Sequence, residues 1–205
     1  AIEQLGSRRV AKIVAVPLFV NSASEVLHHT RYVLGIEEAP SEVLRDALAR
    51  IPAHAHGASR KGAHHNHSFS LQRVRTGLPL VMTRGLDDHP LVGEILAQRA
   101  RTLSRDPSRE TVILVGHGPV DEKANGVWLK TMVRLARGVR IKGRFKAVRS
   151  ATIRDDSPSE VKAKAGTALR GMVEQAHAGA GRALVIPYLI ARGGIEEHIT
   201  RILEG

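Results

Sequence analysis

The feature that most constrains this chain is an internal echo. Residues 11–35, AKIVAVPLFVNSASEVLHHTRYVLG, align without a gap to residues 181–205, GRALVIPYLIARGGIEEHITRILEG. Five positions are identical at a constant offset: Pro17 with Pro187, His28 with His198, Thr30 with Thr200, Arg31 with Arg201 and Gly35 with Gly205. The run Ile13-Val14-Ala15-Val16 answers Ala183-Leu184-Val185-Ile186. Each copy is a continuous apolar run, a turn containing Pro, and a segment of helical period. A strand buried on both faces reads as such a run, and a parallel neighbour is reached only through a crossover, usually a helix. Two copies of strand, turn and helix predict an α/β chain of two similar half-domains with parallel sheets flanked by helices.

The remaining segments fit that frame. Residues 111–115 (TVILV) read as a buried strand, closed by the turn Gly116-His117-Gly118-Pro119. Residues 127–137 set Trp128, Met132 and Leu135 on one helical face, with Lys130, Arg134 and Arg137 elsewhere. Residues 145–153 are strand-like, and Ser157-Pro158-Ser159-Glu160 has the form of a capping box with Pro at the first helical position. The helix it opens carries Val161, Ala165, Ala168, Leu169, Met172 and Val173 inward as far as Ala178. A strand over 183–190 and a helix over 195–204 complete a β-α-β-α-β-α series. Upstream lie a short strand at 78–82 and a helix at 90–103 entered through Asp87-Asp88-His89, with His89 a structural N-terminal residue. The domains expected are 1–105, an incomplete first half, and 111–205, a second half.

Composition narrows the partners. Among 205 residues, 31 Lys+Arg against 20 Asp+Glu leave a net charge of +11, which calls for an anionic partner. The charge is clustered: from Lys130 to Arg149 there are eight Lys or Arg and no acid. Residues 51–76 hold four more basic residues, again without an acid, and five histidines: His54, His56, His64, His65 and His67. That Gly-, Ala- and Ser-rich stretch lacks a helical or strand period and reads as a linker. Its imidazoles either collect divalent metal or are only solvated polar groups. The absence of Cys removes disulfides, thiolate metal sites and thiol nucleophiles, and fits a reducing, cytoplasmic setting. No apolar run approaches the roughly 20 residues that span a bilayer, so no membrane partner is expected. With one Trp, two Tyr and three Phe, stacking platforms for single-stranded nucleic acid are not expected either.

Ligands of an open α/β sheet sit beyond the carboxyl ends of the strands. His117 falls there, as do the turns at residues 21–25 and 191–196. Flanking glycines leave an imidazole open to close approach, although a histidine that merely bonds a turn fits the same pattern. VGHGPVDEK lacks the GxxxxGK[ST] spacing of a phosphate-binding loop, so no nucleotide is implied. Gly116 stands where a histidine phosphatase has Arg.

Taken in order, the strand-then-GHG of VILVGHGP, Asn125 near a helix start, and VIPYLI-x-x-G resemble the class II tetrapyrrole chelatases, most closely the sirohydrochlorin cobaltochelatase (CbiX-type) group. VPLFVNSASEVL is similar to that family's equivalent segment in its other half, and GLDDHPLVGEIL to its closing strand and helix. The similarity spans residues 1–38 and 77–205 and is interrupted by the His-rich stretch, as in long members of the family. It implies ATP-independent insertion of a divalent metal, Co²⁺ or else Ni²⁺ or Fe²⁺, into a sirohydrochlorin-type tetrapyrrole in cobalamin or sirohaem biosynthesis. His117 is then metal ligand and base. The family's second ligand follows the strand-end Pro by eight positions, which is Glu25 in copy one and Ile195 in copy two. Glu25 is read as ligand or proton relay, with an ordinary first-turn acid as the competing account. Ile195 can do neither, and Glu196 is turned about 100° around the helix from it. His28 and His198 lie deeper in their helices and are read as packing or solvent-facing. Only residues 1–9 precede copy one, so the expectation is an incomplete N-terminal half, with His117 the one motif histidine. A homodimer that completes a cleft is left open. The competing reading is a metal-binding or metal-delivery protein on an eroded chelatase fold, with the His-rich stretch as the working part.

Overall fold

A computed structural model of the chain describes residues 2, 5, 10–49, 73–178, 181–191 and 193–204. The histidines from His54 to His67 and the Gly205 partner of Gly35 lie outside the described residues. The chain divides into two compact units, one of residues 1–17 and 25–83 and the other of residues 18–24 and 84–205.

In the first unit, β1 (Ile13–Ala15) pairs in parallel with β2 (Leu80–Met82), Ile13 opposite Leu80 and Ala15 opposite Met82. Two further bonds, from the Ile13 N–H to Pro79 O and from the Thr83 N–H to Ala15 O, extend the ladder. Helices α1 (Glu25–Val33) and α2 (Glu42–Ala49) bury Leu27 and Leu44. Gly35, at φ 75°, closes α1, and the Ile36 N–H reaches back to Arg31 O. The apolar run of copy one is only half buried: Ile13 is enclosed, but Val14 is 51% and Val16 67% exposed. In a two-stranded sheet, alternate side chains point away from whatever covers the other face.

In the second unit three strands run parallel in the order β4-β3-β5, with β3 (Glu110–Gly116) between β4 (Ala147–Thr152) and β5 (Arg182–Pro187). Every residue of β3 is buried, as its continuous apolar sequence requires. Its alternation feeds two cores. Val112 and Leu114 pack with Leu96, Ala97 and Ala100 of α3 (Pro90–Leu103) and with Met132, Leu135 and Val139 of α4 (Glu122–Gly143). Ile113 and Val115 pack with Leu169 of α5 (Ser159–His177) and Ile199 of α6 (Gly194–Glu204). The architecture is therefore α/β, two parallel-strand sheets flanked by helices.

Three local expectations are revised. Helix α4 starts before residue 127, because Asp121 accepts from the Ala124 N–H and supplies a cap, and it runs on until Arg144 adopts a left-handed conformation (φ 57°). The capping box at 157–160 does not form. The Ser157 N–H closes a turn on Arg154 O, its buried hydroxyl has no partner, and α5 begins without a side-chain cap. On α5, Ala168 faces solvent, while Gly166 and Ala176 join Leu169 in the buried set. His89 behaves as expected, its ring nitrogen accepting from the Leu91 N–H ahead of Pro90.

At the opposite end of β3, Glu110 is a buried carboxylate. It accepts from the Ser104 hydroxyl, the Arg105 N–H and Arg182. Burial alone would push its pKa up, but these donors outweigh burial and hold it below the ordinary value.

Candidate functional site

The carboxyl end of β3 presents His117, partly exposed, on a loop whose glycines are both used. Gly118 sits at φ 76°, and a Cβ there would lie 2.6 Å from Thr152 Cβ. A Cβ on Gly116 would lie 3.3 Å from Met132 Sδ. The glycines thus serve close packing and a left-handed turn rather than open approach to the imidazole, which corrects the reason first given for them. Behind the turn, the Thr152 hydroxyl donates to Asn125 Oδ1 at 2.8 Å, both residues being buried, so the motif asparagine fixes the floor of the loop.

Arg154 holds the loop from outside. It has φ 55°, a conformation seldom adopted by non-glycine residues, and its side chain is 8% exposed. Its N–H donates to His117 O at 2.8 Å, Nη2 donates to Val120 O at 2.6 Å, and Nη1 meets Glu122 Oε2 at 2.7 Å. The next two residues face histidines. Asp156 Oδ2 lies 3.5 Å from His117 Nε2, and Asp155 Oδ1 lies 2.6 Å from His198 Nδ1. His198 is thus neither core nor free surface but is held against the Asp155 carboxylate. The sequence reading missed Arg154, Asp155 and Asp156. Their one signal was a block of charge, RDD, directly after a strand, where ligand-facing residues gather.

The turn after Pro17 divides between the units, and residues 18–24 belong to the second. Asn21 is buried, and its Oδ1 accepts from the Ala23 N–H while Nδ2 has no partner. Ser22 donates through N–H and hydroxyl to the two oxygens of Asp87, each at 2.7 Å. Trp128 Nε1 donates to Ala23 O, and the Tyr188 hydroxyl to Val20 O and Asp87 O. The two rings meet edge to face at 6.3 Å between centroids. Burial, then the charges of Asp87 and Asp88, push the Tyr188 pKa well above the ordinary tyrosine range.

Glu25 opens α1 in the first unit, and His29 stands one turn on. Glu25 Oε2 and His29 Nε2 lie 3.7 Å apart, both atoms are buried, and neither has a hydrogen-bond partner. His29 had escaped notice because only His28 recurs in both copies, and His28 faces Glu37 at 3.7 Å. The available signal was the i, i+4 spacing, which puts Glu25 and His29 on one helical face. In the second unit Ile195 packs into the core beside α5, while Glu196 lines a cleft of about 350 Å³ with Arg99, Pro187 and Ala191. The rotation of one residue separates these two environments. His117 and Glu196 therefore belong to the second unit and Glu25 to the first. Among the described residues no group of three or more His, Asp or Glu is placed to hold a metal ion. No described helix is long and apolar enough to cross a membrane.

No protein-family model matches the sequence, and no curated protein matches it either. Among solved structures, SirB from Bacillus subtilis with Fe³⁺ is similar, with a TM-score of 0.58 and 15% identity over 99% of this chain. The chain spans 62% of the length of that protein. At such identity the likeness is one of fold, and the fold is chelatase-like, as the sequence resemblance implied.

Proposed function

We propose that this chain inserts a divalent metal ion, Co²⁺ in the first instance, into a sirohydrochlorin-type tetrapyrrole without ATP, as a step of cobalamin or sirohaem biosynthesis. One observation carries the reading: an imidazole at the carboxyl end of the central parallel strand, on a loop held by Arg154 and Asn125 and flanked by Asp156. Insertion requires two pyrrole N–H protons to leave as the metal enters. Histidine, whose ordinary pKa lies near neutrality, takes a proton at working pH, and neutral imidazole binds first-row divalent ions without the hold of thiolate. His117 is assigned as base and metal ligand and Glu25 as second ligand or proton relay, with His29 beside it. Glu196 is the weaker third ligand, since its cleft is shared with Arg99. The macrocycle carries several carboxylates, for which the +11 charge is the complement. SirB holds Fe³⁺ in a related fold, which supports a metal as the substrate.

The test is anaerobic incubation with sirohydrochlorin and Co²⁺, Ni²⁺ or Fe²⁺, followed by macrocycle absorbance. Acceleration that is lost in His117→Ala supports the proposal. No acceleration, or a His117→Ala variant as active as the wild type, refutes it. A metal-binding or delivery protein is the second reading, favoured by the placement of Ile195 in the core, where a second ligand would stand. Deleting residues 52–68 separates the two: insertion survives under the first reading, and metal capture collapses under the second.

A further inference from the structure

Beside the Asp155–His198 pair, α5 and α6 leave a cleft of about 230 Å³ within the second unit. Its polar lining is entirely basic: Lys162 and Arg170, two turns apart on α5, and His198 from α6. Ile153, Gly166 and Ile202 supply an apolar floor. The cations are held rather than loose. Arg170 Nη1 donates to Ile202 O at 3.1 Å, which leaves other guanidinium donors for a ligand, and His198 is fixed by Asp155. No carboxylate lines the cleft among the described residues, and the nearby Asp155 turns its Oδ1 onto His198 Nδ1 at 2.6 Å. Lys162 and Arg170 therefore remain as uncompensated charge over an apolar floor, where a charge-assisted bond is stronger than in water.

From this arrangement we infer that the cleft is an oxyanion-binding site that takes a carboxylate or phosphate group. The volume admits such a group with a few waters and excludes a macrocycle. Asp155 and Asp156 are adjacent in the chain; the first holds His198 of the cleft and the second faces His117. On the chelatase reading, on which this identification of the ligand rests, the occupant is a peripheral carboxylate of the tetrapyrrole, anchored while its ring faces His117. A free small anion has the same chemistry, and the experiment separates the two.

Gly166 provides a clean probe. A Cβ there would meet Ile202 Cγ2 at 3.5 Å and Arg170 Nη1 at 3.9 Å, ordinary contacts, so Gly166→Ala fits while filling the cleft. A merely structural glycine in mid-helix predicts a higher Tm for alanine and nothing else. Inorganic phosphate is titrated by shifts of the Gly166 amide and Arg170 Nε–H resonances, and sirohydrochlorin by quenching of Trp128. Lys162→Met and Arg170→Met are expected to raise both Kd values about tenfold each, a typical cost for one charge-assisted bond. Gly166→Ala is expected to raise both Kd values together with Tm. Phosphate binding weakened in all three variants, with no sirohydrochlorin bound even by the wild type, leaves the site standing for a free anion and removes the chelatase reading. Sirohydrochlorin bound and metallated with unchanged Kd in every variant, while phosphate binding is weakened, assigns the site to a free anion; unchanged Kd values for both ligands overturn the site and leave the chelatase reading intact. No saturable phosphate binding by the wild type overturns the site as well.

Discussion

Arg154 offers the sharpest test of how His117 is positioned. Replacing it with alanine removes the bonds to Val120 O and Glu122 but spares its own N–H bond to His117 O. The released partners are not stranded: Glu122 is 83% exposed, and Val120 is a surface residue, so water satisfies both. The penalty of about 3–5 kcal/mol for an unpaired buried charge therefore does not apply. What remains is the net worth of hydrogen bonds to a charged group, about 1.5–3 kcal/mol. Alanine keeps the cost of a left-handed φ, as arginine does, so that cost cancels. Glycine escapes it, which returns about 1 kcal/mol. The expected order of stability is wild type, then Arg154→Gly, then Arg154→Ala, with the last two separated by about 1 kcal/mol. Urea unfolding read by Trp128, which lies in the second unit, measures this directly. An alanine variant as stable as the wild type, or a glycine variant less stable than alanine, refutes the argument. If Arg154 is a positioning residue, metal insertion falls in both variants mainly through kcat, because the loop carrying His117 loses its outer support while substrate contacts remain.

Gly118→Ala must both adopt φ 76° and bring a Cβ against Thr152 at 2.6 Å, so its Tm falls sharply, by about 2–4 kcal/mol of stability. A soluble variant with wild-type Tm would show that the GHG turn is not packed as described. Tyr188→Phe removes a hydroxyl shared by Val20 O and Asp87 O, and about 1–3 kcal/mol is lost in denaturant titration. In the wild type the folded tyrosine pKa is raised, so its contribution is complete below the ordinary value near 10 and is lost as pH climbs toward the folded one. Tyr188 then stays protonated while the fold persists, and an absorbance change from both tyrosines of the chain before alkaline unfolding contradicts this. Glu110→Gln loses stability at neutral pH. Because the Glu110 pKa is lowered on folding, the gap to the wild type is full above the ordinary value of 4.5 and narrows as pH falls below it. A gap independent of pH refutes the assignment.

Strands and helices of the second unit were legible because periodicity reports burial: β3 is buried throughout its apolar run, and β5 encloses Leu184 and Ile186. The helix at residues 90–103 was legible to the residue, since His89 and Pro90 punctuate its start. The capping box misled because Ser157 obeys a turn closed by Arg154, a left-handed arginine that no local pattern announces. His117 was legible as a motif. Its supports were not, because Arg154, Asp155 and Asp156 reach it from a different strand, and a contact between strand ends leaves no spacing in the chain.

The repeat sets different side chains at matching positions of its two helices. Both helices carry the same back-bond, Thr30 hydroxyl to Val26 O and Thr200 hydroxyl to Glu196 O. Yet the helices bury different residues. In α6 the face at Ile195 and Ile199 packs into the core, whereas in α1 the fully buried residue is Leu27, whose counterpart Glu197 is exposed. The counterparts of Ile195 and Ile199 are Glu25 and His29, one turn apart on one face. Two apolar positions in one copy are thus two ligand-type side chains in the other, with Oε2 and Nε2 buried and unpartnered. Leaving two such atoms unsatisfied costs about 1–3 kcal/mol each, a cost that the isoleucine pair avoids. If the proposed function holds, that cost is offset at Glu25 and His29, which are then the second ligand pair, and substituting both with isoleucine, the residue at the matching positions of copy two, raises stability while abolishing metal insertion.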